Sequence, residues 1–157
     1  MENLINNQLA IIHKLAELEN TVGRLYEAYG SHFPVHKSLW QSLADEEKEH
    51  AFWLEKLGDY VLKGQVTMNE KRFNKFAAQS FLNYLKNELD KVTHKEVTII
   101  NAAVIALYLE ESIIEHNFYE VVSGDSPELQ KTFDSLTNAT KTHLQRVKIF
   151  LNQLKSP

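Results

Sequence analysis

Cysteine is absent from this 157-residue chain, which excludes disulfides, thiolate metal sites and thiol catalysis. Proline and glycine are scarce, three and five residues, and most stand where helices are expected to stop. No Lys/Arg-rich run occurs and the net charge is −4, so no nucleic-acid partner is expected. The opening MENLINNQ lacks the charged-then-apolar pattern of a signal peptide. The longest apolar stretch, Val97 to Leu109, contains Thr98, Asn101 and Tyr108 and is shorter than the roughly 20 residues of a membrane span. A soluble cytoplasmic protein, not membrane-bound, is the expectation. Hydrophobic residues make up 43% of the chain, enough at this length for one domain over residues 1–157 with a sizeable core.

What is present is helical periodicity. A first helix is expected from about Asn3 to Tyr29, with Leu15, Leu18, Val22, Leu25 and Tyr29 on one buried stripe, Gly30 as its end and Gly23 allowing close packing. A second, helped to start by Pro34, runs from about Val35 to Leu62, and Gly58 or Gly64 marks its end. Its stripe is Trp40, Leu43, Glu47, His50, Leu54, Leu57 and Val61, so two polar residues occupy apolar positions. A connecting helix is expected over about Asn69 to Val92, opened by a capping box at Thr67–Glu70, with Phe73, Phe76, Ala77, Phe81, Leu85 and Leu89 on its apolar side. The next, about His94 to Val122, follows a box at Thr93–Glu96 and is apolar nearly all round from Ile99 to Leu109, so it should be the most buried. The last follows Ser126-Pro127 as N-cap and N1, with the stripe Phe133, Leu136, Thr140, His143, Val147, Phe150 and Leu154.

The chain repeats itself. Leu18-Glu19-Asn20-Thr21 matches Leu109-Glu110-Glu111-Ser112, and Pro34 stands to Trp40 and His50 as Pro127 stands to Phe133 and His143. Two helical hairpins of one design, joined by the connecting helix, make an all-α four-helix bundle. The repeat also carries a pair and a degraded copy: Glu47-x-x-His50 in the second helix and Thr140-x-x-His143 in the last. Spacing of i, i+3 puts Glu and His on one helix face, where both reach one ion. Bundle-core carboxylate sites combine one Glu from each of two helices with Glu-x-x-His from the other two. Here the candidates are Glu19, Glu47, His50, Glu110 and His143, with Thr140 where a second Glu-x-x-His would have its Glu. Glu110 is favoured by the Leu-Glu match and by the small-residue face of Ala103 and Ala106. Glu111 stays open, because its stripe of Val104, Leu107, Ile114 and Phe118 is bulkier and expected to be equally buried.

These residues resemble the ferritin-like superfamily, and within it the rubrerythrin-type di-iron domain. The resemblance rests on Leu18-Glu19 with Leu25-Tyr26, on Leu43 through His50, on Leu109-Glu110-Glu111-Ser112 and on Phe133 through His143, and it covers nearly the whole chain. It implies a ferritin-like bundle with a crossover helix and a non-haem di-iron centre. Glu47 would bridge the irons, with Glu19 and His50 on one and Glu110 and His143 on the other. It also implies reduction of peroxide, activation of oxygen or oxidation and storage of ferrous iron, and a homodimer. The departure is Thr140, where the family has a second bridging Glu; two irons, one or none remain open, as do manganese and zinc. With no cysteine for the rubredoxin module of full rubrerythrins, a peroxidase would need an external electron donor.

Blander roles stand beside these. Glu47 and His50 also fit a satisfied polar pair in a helix core, and His143 a core histidine bonded to a carbonyl or a carboxylate. Tyr26, on the Glu19 face, is either a donor to a ligand carboxylate or core packing with a polar tip. Trp40, Phe52, Trp53 and Tyr108 read as core or interface aromatics, and His116 as uninvolved. The run Asp45–Glu49, Glu47 apart, reads as a solvated face. The competing function is a non-catalytic bundle, either a metal-sensing remnant or a scaffold for dimerisation.

Overall fold

The computed structural model describes residues 2–68, 70–115, 122–124 and 127–156. Five α-helices carry the fold: α1 (Glu2–His32), α2 (Lys37–Leu62), α3 (Lys75–Thr93), α4 (Ile99–Glu115) and α5 (Pro127–Lys155). Short 3-10 turns at Pro34–His36 and Glu70–Arg72 precede α2 and α3. Two three-residue strands, β1 (Val66–Met68) and β2 (Val122–Gly124), pair antiparallel, with Val66 opposite Gly124 and Met68 opposite Val122. Helix α1 packs along α2 and also against α3, while α4 packs against α5. The protein is thus all-α with hairpin contacts between successive helices, and among the described residues no helix is long and apolar enough to cross a membrane.

The apolar stripes of α1, α2 and α5 are buried as their periodicity requires. Leu15, Leu18, Val22, Leu25 and Tyr29 face Trp40, Leu43, Leu54, Leu57 and Val61 in one core that Phe133, Leu136, Val147 and Phe150 complete. Glycines let α1 and α2 approach. A Cβ at Gly23 would lie 3.2 Å from the Ala44 carbonyl oxygen and 3.3 Å from Glu47 Cβ, so the absent side chain sets the helix spacing beside Glu47. Gly30 does not end α1. It stays inside the helix, where its Cβ would meet Trp40 Cβ at 3.3 Å, and the helix runs on to His32. At the other end of α2, Gly64 takes φ +69° and closes the helix, whereas Gly58 lies within it.

Several boundaries move for identifiable reasons. Thr67 lies in β1, so it cannot cap α3; Asn74 does so instead, accepting a 2.9 Å bond from the Ala77 N–H. The Thr93–Glu96 box gives way because that segment closes α3: Lys95 turns at φ 57°, and the Glu96 N–H donates to the Lys91 carbonyl. Thr98 then opens α4, its hydroxyl accepting from the Asn101 N–H at 3.2 Å. Phe76, assigned to the apolar side of α3, is 82% exposed, and the buried face is Ala78, Phe81, Leu82, Leu85, Glu88 and Val92.

Helix α4, apolar nearly all round, is not buried all round. Ile100, Val104 and Tyr108 form an outward strip at i, i+4 spacing, each more than 40% exposed, while Ala102, Ala103, Ala106 and Leu109 face inward. Of the four aromatics weighed from the sequence, Trp40 alone is core; Phe52, Trp53 and Tyr108 are each about half exposed. Val122 belongs to β2 rather than to the end of α4. His116, Phe118 and the Ser126 cap lie outside the described residues.

Gly23→Ala tests the close approach. Helix propensity alone would favour Ala by about 1 kcal/mol, but the carbonyl at 3.2 Å is backbone and cannot step aside. The substitution is expected to lower the urea-unfolding free energy by about 1 kcal/mol; an increase would show that the spacing there is loose.

Candidate metal centre

Four helices send titratable side chains to one buried place. α1 contributes Glu19, α2 Glu47 and His50, α4 Glu110, and α5 His143, all at core positions of their stripes and all nine-tenths buried or more. Glu47 is the centre. Its Oε2 pairs with His50 Nδ1 at 3.0 Å, and its Oε1 pairs with His143 Nδ1 at 2.8 Å across 96 residues of sequence. The two imidazoles lie nearly parallel, 5.4 Å apart between ring centres. Glu47, His50 and His143 each offer a ligand atom within 4.8 Å of the others, close enough to hold a metal ion.

The outer carboxylates are arranged in matching fashion. Glu19 Oε2 lies 3.9 Å from His50 Nδ1, and Glu110 Oε1 lies 3.8 Å from His143 Nδ1. Both separations allow charge attraction but exceed a hydrogen bond. Glu19 Oε2 and Glu110 Oε2 are buried with no hydrogen-bond partner among the described residues. Tyr26 donates its hydroxyl to Glu110 Oε1 at 2.6 Å, reaching the α4 carboxylate rather than the Glu19 of its own helix. Glu110, fully buried, points to the cluster; Glu111, the alternative, is exposed, and Val104 on its stripe is 45% exposed.

Thr140 is buried beside the cluster, and its hydroxyl donates to the Leu136 carbonyl at 3.1 Å. This bond to the preceding turn satisfies the side chain locally, and it brings no carboxylate to the site. Glu46 is the residue the sequence reading missed. It was grouped with a solvated run, yet its Oε2 pairs with His143 Nε2 at 2.8 Å. Its Oε1 accepts from Arg146 at 2.7 Å and from Ser42 at 3.1 Å, and Arg146 also donates to Ser42 at 2.8 Å. The available signal was spacing: Ser42 lies one turn before Glu46, and Arg146 one turn after His143. A carboxylate on the far nitrogen fixes the tautomer of a histidine and turns its other nitrogen to the site.

Burial and charge divide the protons unevenly. Burial alone would raise Glu47, but hydrogen bonds from His143 and His50 hold it well below the usual carboxylate range. Burial and the charge of Glu47 push Glu19 well up, and the same causes push Glu110 up to about 8. Burial works against charge on the imidazoles, yet the nearby carboxyl of Glu19 and the hydrogen-bonded carboxylate of Glu47 raise His50 to about 10, and Glu47, Glu110 and Glu46 raise His143 to about 9. The metal-free cluster thus concentrates negative charge on Glu47 and favours protons on the two imidazoles and the two outer carboxyls.

The residues fit a hard or borderline divalent ion. The donors are oxygen and imidazole nitrogen, which suit iron, manganese or zinc. The two orphaned carboxylate oxygens are acceptors that no protein donor satisfies. Binding would displace the cluster's protons, since a ligand must be deprotonated. Comparison with protein-family models, curated proteins and solved structures gives no match, so the geometry alone carries the functional argument.

The proton inventory predicts how metal-free stability depends on pH. Glu110, His143 and His50 have folded-state pKa values above their ordinary 4.5, 6.5 and 6.5. Their stabilisation is complete below the ordinary values and is lost as pH rises through about 8, 9 and 10 respectively. Glu47 is depressed, so its contribution is already complete above 4.5. Thermal melts in chelator should show the highest melting temperature near pH 5, falling steadily towards pH 10. A melting temperature that stays flat or rises over that window would contradict the assignment of protons.

Proposed function

We propose that the protein is a ferritin-like four-helix bundle whose core cluster binds ferrous iron and works as a non-haem iron oxidoreductase on peroxide, oxygen or ferrous iron itself. In this reading α1–α2 and α4–α5 are the paired hairpins and α3 is the crossover. The observation that carries it is Glu47: each of its oxygens meets a histidine from a different helix, and beyond each histidine lies another buried carboxyl. Glu19, Glu47 and His50 would hold one ion, and Glu47, Glu110 and His143 the other. Iron bound there supplies the one-electron changes that peroxide or oxygen reduction requires, and manganese or zinc suits the same donors.

The chain's own groups have definable tasks. Tyr26 orients Glu110 and leaves its second oxygen free. Glu46, braced by Arg146 and Ser42, holds the Nε2 proton of His143 so that Nδ1 faces inward. Leu18, Val22, Leu43 and Leu109 pack the surrounding core and exclude bulk water. Electrons for peroxide reduction come from an external donor. Homodimerisation belongs to the proposal, and the exposed strip of Ile100, Val104 and Tyr108, with Tyr84 edge-on to Tyr108, is apolar surface that a second copy would cover.

One observation favours a second reading. The cluster is already held together by hydrogen bonds from both histidines to Glu47, and Thr140 supplies no fourth carboxylate. A non-catalytic bundle, serving as a metal-sensing remnant or a dimeric scaffold, would retain this arrangement without turnover.

Anaerobic titration with Fe(II), followed by peroxide, separates the two. The oxidoreductase reading predicts saturation near two ions per chain, proton release on binding and rapid oxidation on peroxide addition. Thr140→Glu should tighten binding about tenfold, the scale on which groups around a metal act. Binding without oxidation supports the remnant, and no binding with an unchanged melting temperature contradicts a metal site altogether.

A further inference from the structure

The cluster residues are buried, and among the described residues a cleft of about 380 Å³ between α2 and α5 reaches one of them, His50. Its α2 wall is Glu46, Glu49, His50 and Trp53, spaced i, i+3, i+4 and i+7, so one flank of the helix lines it throughout. Ser135 and Ala139 belong to its α5 wall, and both are small. His50 thus faces two ways. Its Nδ1 points inward to Glu47 and Glu19, while the residue lines the cleft and, among the described residues, no hydrogen bond engages its Nε2. A larger groove of about 680 Å³, walled by Val35, Leu39, Ile149 and Phe150 among others, includes none of the cluster residues.

Charge at the cleft is of one sign where it is free. Arg146 is paired with Glu46, and neighbouring Lys48 is turned away to Glu27. Glu49 is exposed at the mouth. A carboxylate at the mouth of a low-dielectric cleft raises the local concentration of cations and their rate of arrival.

We propose that this cleft is the route by which divalent cations reach the buried cluster, with Glu49 drawing the ion to the mouth and His50 as the first buried ligand residue it meets. The inference rests on the metal-binding reading above. It adds a path, and it gives Glu49, Ser135 and Ala139 roles in the rate of loading rather than in the final occupancy. On arrival the cation takes the place of a proton on the imidazole, and the proton leaves to solvent by the same cleft.

Stopped-flow mixing of the metal-free protein with Co(II), read by the absorption of the bound ion, tests this. Ala139→Phe and Ser135→Phe narrow the cleft, and Ser135 is exposed, so its replacement leaves the core intact. Both should load about tenfold more slowly than wild type, with the same final Co(II) content. Glu49→Gln should slow loading several-fold and flatten its dependence on salt. Ile149→Trp, in the larger groove, should load at the wild-type rate. Wild-type rates in both narrowed variants would overturn the route while leaving the metal site standing. If the wild-type chain takes up no Co(II), the metal-binding reading and the route fall together.

Discussion

The structure depends on one carboxylate held between two imidazoles. Two parallel imidazoles 5.4 Å apart both seek a negative partner, and Glu47, bonded to both, supplies one, with Glu46 adding a second on the far side of His143. Burial first, and then the charge of Glu47, push the pKa values of Glu19 and Glu110 up. Everything packed around Glu47 follows from this. α1 must come close, which Gly23 permits at 3.3 Å from Glu47 Cβ. α5 must present His143 in a fixed orientation, which the ring of Glu46, Arg146 and Ser42 enforces.

The cluster is symmetric in its halves and asymmetric in one detail. Glu19 stands to His50 as Glu110 stands to His143, at nearly equal distances, as the repeat between the hairpins implies. The detail is Thr140. Its hydroxyl is turned to its own helix, so the α5 half lacks the carboxylate that α2 supplies through Glu47. One bridging carboxylate then serves two histidines. The metal-free form is stabilised by protons, and any metal must displace them. Loading would thereby be coupled to pH, and in the two-ion proposal the strength of binding would depend on how well Glu47 alone spans both ions.

Much of this was legible in the chain because the signals are local and periodic. The stripes of α1, α2 and α5 report burial at every turn, and polar residues inside them, Glu47, His50 and His143, stood out as exceptions. The Leu-Glu match between Glu19 and Glu110 favoured Glu110 on α4 while leaving Glu111 open, and the structure brings Glu110 to the centre. What stayed hidden depends on distant partners. Glu46 resembles any solvated carboxylate until His143, 97 residues away, is placed against it. The β1–β2 ribbon pairs three residues from each of two remote segments, too short for an alternating pattern. Both capping boxes had the correct letters, yet Thr67 was taken by the ribbon and residues 94–96 by the end of α3. Helix α4 is apolar on nearly all sides, so periodicity could not tell its inward face of alanines from its exposed strip of Ile100, Val104 and Tyr108.

The central claim is that Glu47 shares itself between two metal ions, each completed by one histidine and one outer carboxylate. Anomalous diffraction from a crystal loaded with Fe(II) in the absence of air tests it most directly. The account predicts two iron peaks, one beside His50 Nδ1 and Glu19 and the other beside His143 Nδ1 and Glu110, both in contact with Glu47, with Glu46 still on His143 Nε2. A crystal that takes up no iron at the cluster and keeps both histidines bonded to Glu47 would contradict it.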